Sequence, residues 1–156
     1  MSQNPAQCIT GLSYPADIQR SLFSMFEYGY SRVGRDAEAI LYFGNRISYG
    51  KLMDDVHAFA AGLVNLGVKK GDFVTICLPN MPQCVVAVYA VNRLGAICNL
   101  VHPLSTEKEI KDAVRLCDSK VVLTFELNEG FAEGLGAKII AAKLLYSSRK
   151  APRALL

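Results

Sequence analysis

No apolar run in this 156-residue chain is long enough to cross a bilayer. The longest, Cys84 to Val91, has eight residues, against the roughly 20 that a spanning helix needs. The opening Met1-Ser2-Gln3-Asn4-Pro5 lacks the basic and apolar regions of a secretory leader, so a cytoplasmic location is expected. None of the five cysteines belongs to a Cys-x-x-Cys pair. Cys77 and Cys98 fall in apolar, strand-like runs and Cys84 and Cys117 on helix-like stretches, which points to buried thiols rather than a metal or redox centre. Internal repeats and low-complexity segments are absent.

Acidic residues stop at Glu133, while Lys138, Lys143, Arg149, Lys150 and Arg153 follow it. These five create the net charge of +3; without them 12 basic residues face 14 acidic ones, a balance of −2. The body is near neutral and carries no basic surface interleaved with aromatics, so no nucleic-acid partner is expected. Half of the residues are apolar and a fifth charged, an ordinary globular composition with length for one real core.

Periodicity organises what is present. Ile18, Leu22, Met25 and Phe26 recur at helical spacing after Asp17, predicting an amphipathic helix to about Tyr30. Ala39 to Phe43, Gly44-Asn45 and Arg46 to Tyr49 read as a short hairpin, since Gly and Asn tolerate the positive φ of such turns. With Ser48 as N-cap, Leu52, Val56, Phe59, Leu63 and Leu66 form an apolar stripe, and Gly67 ends the helix in the left-handed conformation. Phe73 to Leu78 is a nearly continuous apolar strand, the kind buried on both faces of a parallel sheet.

Asn80 suits an N-cap, Pro82 a first helical turn and Gly95 a helix stop. Ala96 to Val101 gives a second strand, and Thr106 with Glu109 forms a capping box. The stripe Ile110, Ala113, Val114, Cys117 follows, then a strand from Lys120 to Thr124. Strand, helix, strand, helix, strand at this spacing predicts an α/β fold, a parallel sheet with helices on both faces. The expected organisation is an N-terminal helical segment (1–36), an α/β core (37–125), and a connector with a basic, disordered tail (126–156). Within the last, Leu127 to Gly136 is Gly- and Glu-rich, and Ala137 to Tyr146 fits either a short helix or a strand.

Several of these segments together resemble a known family. They are Arg46-Ile47-Ser48-Tyr49-Gly50-Lys51-Leu52, Leu66-Gly67-Val68-Lys69-Lys70-Gly71-Asp72, the strand closed by Pro79-Asn80, and Arg93-Leu94-Gly95-Ala96 running on to Pro103. Their order and spacing resemble the start of the adenylate-forming acyl-CoA synthetases, the AMP-dependent synthetase and ligase superfamily. The resemblance implies part of that family's large N-terminal domain. It also implies a reaction in which a carboxylate, a fatty acid by expectation, is joined to ATP as an acyl-adenylate and passed to CoA, with Mg2+ taking part. The family's catalytic elements have no matching positions here, so no catalytic, cofactor-binding or metal-binding residue is assigned. The polypeptide alone is expected to be inactive, a truncated part of a parent enzyme.

Local tests for nucleotide chemistry agree. Gly50-Lys51 is followed by Leu52 and has Asn45 where a Walker loop needs its first glycine. Gly134-Leu135-Gly136 continues to Ile139, not the third glycine of a dinucleotide fingerprint. Ser147 to Arg153 echoes the family's ATP loop but has neither glycine nor threonine, and Gly11-Leu12-Ser13-Tyr14-Pro15 lacks the second glycine of a nucleophile elbow. His57, Asp54, Asp55, Lys69 and Lys70 read as solvated surface groups, and His102, at a strand end, as structural. The expected partners are the remainder of a parent enzyme or a second copy of the chain. The basic tail, with its short stripe Ile139, Ile140, Leu144, Leu145, allows only weak peripheral membrane contact. The alternative is a small, non-catalytic α/β module that binds a ligand or protein.

Overall fold

The computed structural model describes residues 21–125 and 135–142. A helix α1 (Leu22–Val33) precedes a hairpin of β1 (Glu38–Tyr42) and β2 (Asn45–Ser48). Then α2 (Tyr49–Asn65), β3 (Phe73–Cys77), α3 (Pro82–Arg93), β4 (Ile97–Leu100), α4 (Glu107–Leu116), β5 (Val121–Phe125) and β6 (Lys138–Ala142) follow. The last four strands form one parallel sheet in the order β4-β3-β5-β6. Of the two readings open for the segment after 136, the strand is the one observed.

The chain steps from β3 outward to β4, then back across β3 to β5. Crossovers of one hand that run in opposite directions place their helices on opposite faces of the sheet. Accordingly, Val74, Ile76, Val121, Leu123 and Phe125 pack with α1, α2 and α3 in the main core. Val122, between them in sequence, faces the other way and packs with Val114 of α4. This two-sided burial is why the strands read as continuous apolar runs rather than alternating ones.

Local departures from the sequence reading have identifiable causes. In α1 the buried residues are Phe23 and Phe26, while Leu22 and Met25 are 43% and 40% exposed. Aromatic packing decides this, because Phe26 stacks on Tyr89 at 4.6 Å and on Tyr49 at 5.9 Å. Phe23 lies under the Arg93 guanidinium, and its N–H donates to Asn92 Oδ1 at 2.7 Å. The residues Asp17 and Ile18 lie outside the described ones.

The hairpin turn is Phe43-Gly44, with φ of 46° and 79°, and Asn45 pairs with Tyr42; the turn thus sits one residue earlier than Gly44-Asn45. The N-cap of α3 is Met81 rather than Asn80. Proline disfavours helical geometry in the residue before it, and Met81 is extended, at φ −136° and ψ 160°, with Pro82 opening the helix. By contrast Ser48 caps α2 through Lys51 N–H, and Thr106 with Glu109 completes the capping box of α4, as expected.

Candidate functional site at the carboxyl edge of the sheet

An open parallel sheet binds ligands beyond the carboxyl ends of its strands, where the direction of strand connection reverses. In this chain the reversal lies between β3 and β5. The described groups at that edge are Cys77, Leu78 and Met81, all buried, with half-buried Pro79 and exposed Asn80. Thr124 and Phe125 are buried at the end of β5. Beside them the connection after β4 runs through Val101, His102, Pro103, Leu104, Ser105 and Thr106. None of these side chains is a lysine or arginine, so the described part of the edge does not fit a triphosphate, which needs positive charge on its oxygens. Among the described residues no three His, Cys, Asp or Glu side chains gather as a metal site.

His102, the one ionisable imidazole here, is exposed and occupied in a turn. Its Nδ1 accepts the Leu104 N–H at 3.2 Å and its carbonyl accepts the Ser105 N–H at 3.0 Å. The Cys77 thiol donates to the same carbonyl at 3.7 Å. Burial raises the pKa of Cys77 and of Cys84. Cys98 is pushed up to about 11, by burial first and the Cys84 thiol second. These thiols are protonated at neutral pH and are not nucleophiles.

Two of the motif segments, Leu66 to Asp72 and Arg93 to Ala96, meet at the opposite, amino edge. Gly67 ends α2 with φ 89°; its N–H donates to Val64 O at 2.8 Å and that of Val68 to Leu63 O at 3.0 Å. Gly95 ends α3 with φ 67° and the same pair of bonds, to Asn92 O at 2.9 Å and, from Ala96, to Val91 O at 3.1 Å. Both are Schellman caps. The two caps are joined directly, Gly71 N–H donating to Gly95 O at 2.9 Å and Ile97 N–H to Asp72 O at 2.8 Å. The Lys70 stem lies where a Cβ on Gly95 would sit, its Cγ 3.0 Å away.

Asp72 accepts the Lys69 N–H at 2.7 Å and Lys120 Nζ at 2.9 Å. The Lys120 hydrogen bond, then the Lys69 amide, holds the Asp72 carboxyl below the usual carboxylate range. Asp118, which sequence reasoning passed over, closes α4 in the same way as the two glycines, with φ 48° and its N–H on Arg115 O at 3.2 Å.

Asn99, Thr75 and Ser119 also escaped the sequence reading. Asn99 Nδ2 donates to Thr75 Oγ1 at 3.0 Å and Ala113 O at 3.2 Å, and Thr75 Oγ1 lies 2.7 Å from Ser119 Oγ. This network bolts α4 to the sheet; its only signal was two polar residues inside apolar strands.

The remaining candidates sit apart from both edges. His57 is exposed beside the Phe23 ring. Asp54 and Asp55 are not merely solvated: Asp54 pairs with Arg35 at 2.8 Å and Asp55 with Lys51. The Asp54 hydrogen bond, ahead of Tyr30, raises the pKa of Arg35. Gly50-Lys51 occupies the first turn of α2, Gly50 N–H bonding Arg35 O at 2.9 Å. A shallow concavity of about 410 Å³ runs along α4 past Glu107, Lys111, Asp112 and Arg115. Lys111 pairs with Glu107 and Arg115 with Asp112; Lys108 is the remaining charge, and all five come from the one helix, so no groups from separate elements converge here. Gly11 to Pro15, Gly134 and Ser147 to Arg153 lie outside the described residues, as does the remainder of the tail from 143 onward. No described helix is long and apolar enough to cross a membrane.

Comparison with known proteins gives consistent matches. The family pattern described as AMP-binding enzyme matches residues 29–154. Acetyl-coenzyme A synthetase of Penicillium chrysogenum is 40% identical over 100 residues, covering 64% of this chain and 14% of that protein. A long-chain-fatty-acid–CoA ligase of Bacillus subtilis is 35% identical over 92 residues, 59% of this chain and 16% of the relative. Among solved structures, the N-terminal subdomain of Klebsiella oxytoca NpsA, in complex with anthranilyl-AMSN, superposes with a TM-score of 0.71. It is 21% identical, and the match covers 82% of this chain and 33% of that one. The chain therefore spans about one seventh of the curated relatives' length.

Proposed function

This chain belongs to the AMP-binding enzyme family, and from that premise we propose that it forms the framework of an ATP-dependent carboxylate–CoA ligase. The observation that carries the reading is 35% and 40% identity, over 92 and 100 residues, to a long-chain-fatty-acid–CoA ligase and an acetyl-coenzyme A synthetase. The carboxylate is a fatty acid, short or long, and the acyl group passes through an adenylate to CoA, with Mg2+ shielding the phosphates, in the cytoplasm.

Attack of a carboxylate on a phosphoryl group needs an oriented nucleophile and charge placed against the developing oxyanion. The described carboxyl edge carries neither, which supports the reading that the polypeptide by itself is inactive in adenylation. Its contribution is the rigid sheet on which further parts of a ligase assemble.

A chimera tests the framework role. Residues 29–125 replace the corresponding segment of the Penicillium acetyl-coenzyme A synthetase, and acetate-dependent ATP–pyrophosphate exchange is measured. Retained exchange is expected, because the framework is shared and the catalytic groups come from the host. A folded chimera without exchange contradicts the reading. The 156-residue chain assayed alone with acetate, medium-chain and long-chain acids should stay at background; exchange that needs both acid and magnesium refutes that part.

A further inference from the structure

We draw no further inference here: the strongest candidate, the exposed apolar side chains Ile97, Leu100 and Leu104 along the outer strand β4 and the loop after it, carries nothing, because nothing in the structure shows what covers it.

Discussion

Among the described residues, the sheet is closed at the amino ends of its strands and open at the carboxyl ends. The closed edge is made of three helix caps, at Gly67, Gly95 and Asp118; the first two are stitched together by Gly71 N–H on Gly95 O and Ile97 N–H on Asp72 O, and Lys120 ties the third to Asp72. The open edge has a proline-broken turn at Leu78 to Met81 and a loop in which Leu104 is 83% exposed. Two of the segments by which the chain resembles its family, Leu66 to Asp72 and Arg93 to Ala96, lie at the closed edge, while Pro79-Asn80 lies at the open one, where parallel sheets bind their ligands. A family signature can thus be a signature of framework, carried by turns that fix where the strands begin.

This contrast can be broken by substitution, and the largest effect is expected in the core beneath the closed edge. Leu63 is fully buried and its carbonyl receives the Val68 N–H that closes the α2 cap. Leu63→Ala should cost ~2–5 kcal/mol in urea unfolding, whereas Leu104→Ala at the open edge should stay within about 0.5 kcal/mol. Comparable losses at the two positions would erase the distinction.

A smaller effect is expected at the cap itself. Gly95→Ala forces an L-residue into φ 67°, at a cost of roughly 1–2 kcal/mol. The close Lys70 Cγ adds little, because that flexible stem can swing aside. Asn80→Ala, at an exposed position that caps no helix, should be neutral within about 0.5 kcal/mol. A destabilising Asn80→Ala would mean that the open edge is ordered by contacts of its own.

The smallest effect depends on pH. The Asp72 carboxyl titrates lower in the folded chain than in the unfolded one, chiefly through Lys120. Its contribution to stability is therefore present above the unfolded value of about 3.9 and lost as pH falls through the lower folded value. Wild type should lose more stability than Asp72→Asn when acidified from about pH 5 to pH 3, read as urea midpoints. Parallel curves would show that the Asp72–Lys120 pair contributes nothing.

Much of the closed edge was legible in the sequence because glycine at a helix end has few other reasons to be there. Asp118 was missed since aspartate only tolerates the left-handed conformation, and nothing beside it marks a stop. The order of strands followed from spacing and handedness, but which face of α1 is buried did not. Leu22 and Met25 satisfied the helical stripe as well as Phe23 and Phe26 do, and only Tyr49 and Tyr89, distant in sequence, decide between them. The cap of α3 shifted by one residue to Met81 because Pro82 holds its predecessor extended, outweighing the capping propensity of Asn80. The open edge was illegible as a site because its described residues carry no charge to recognise. Its remaining connection, 126–134, lies outside the described residues.

Residue-resolved amide hydrogen exchange tests the two-edge account most directly. The amides of Val68, Ala96 and Ser119 close the helix caps of the closed edge and those of Gly71 and Ile97 join two of the caps; all five should exchange only through near-global unfolding. Those of Asn80 and His102, in the two turns of the open edge, should exchange orders of magnitude faster, through local opening. Equal protection at both edges, or faster exchange at Gly71 and Ile97 than at Asn80, would contradict the account.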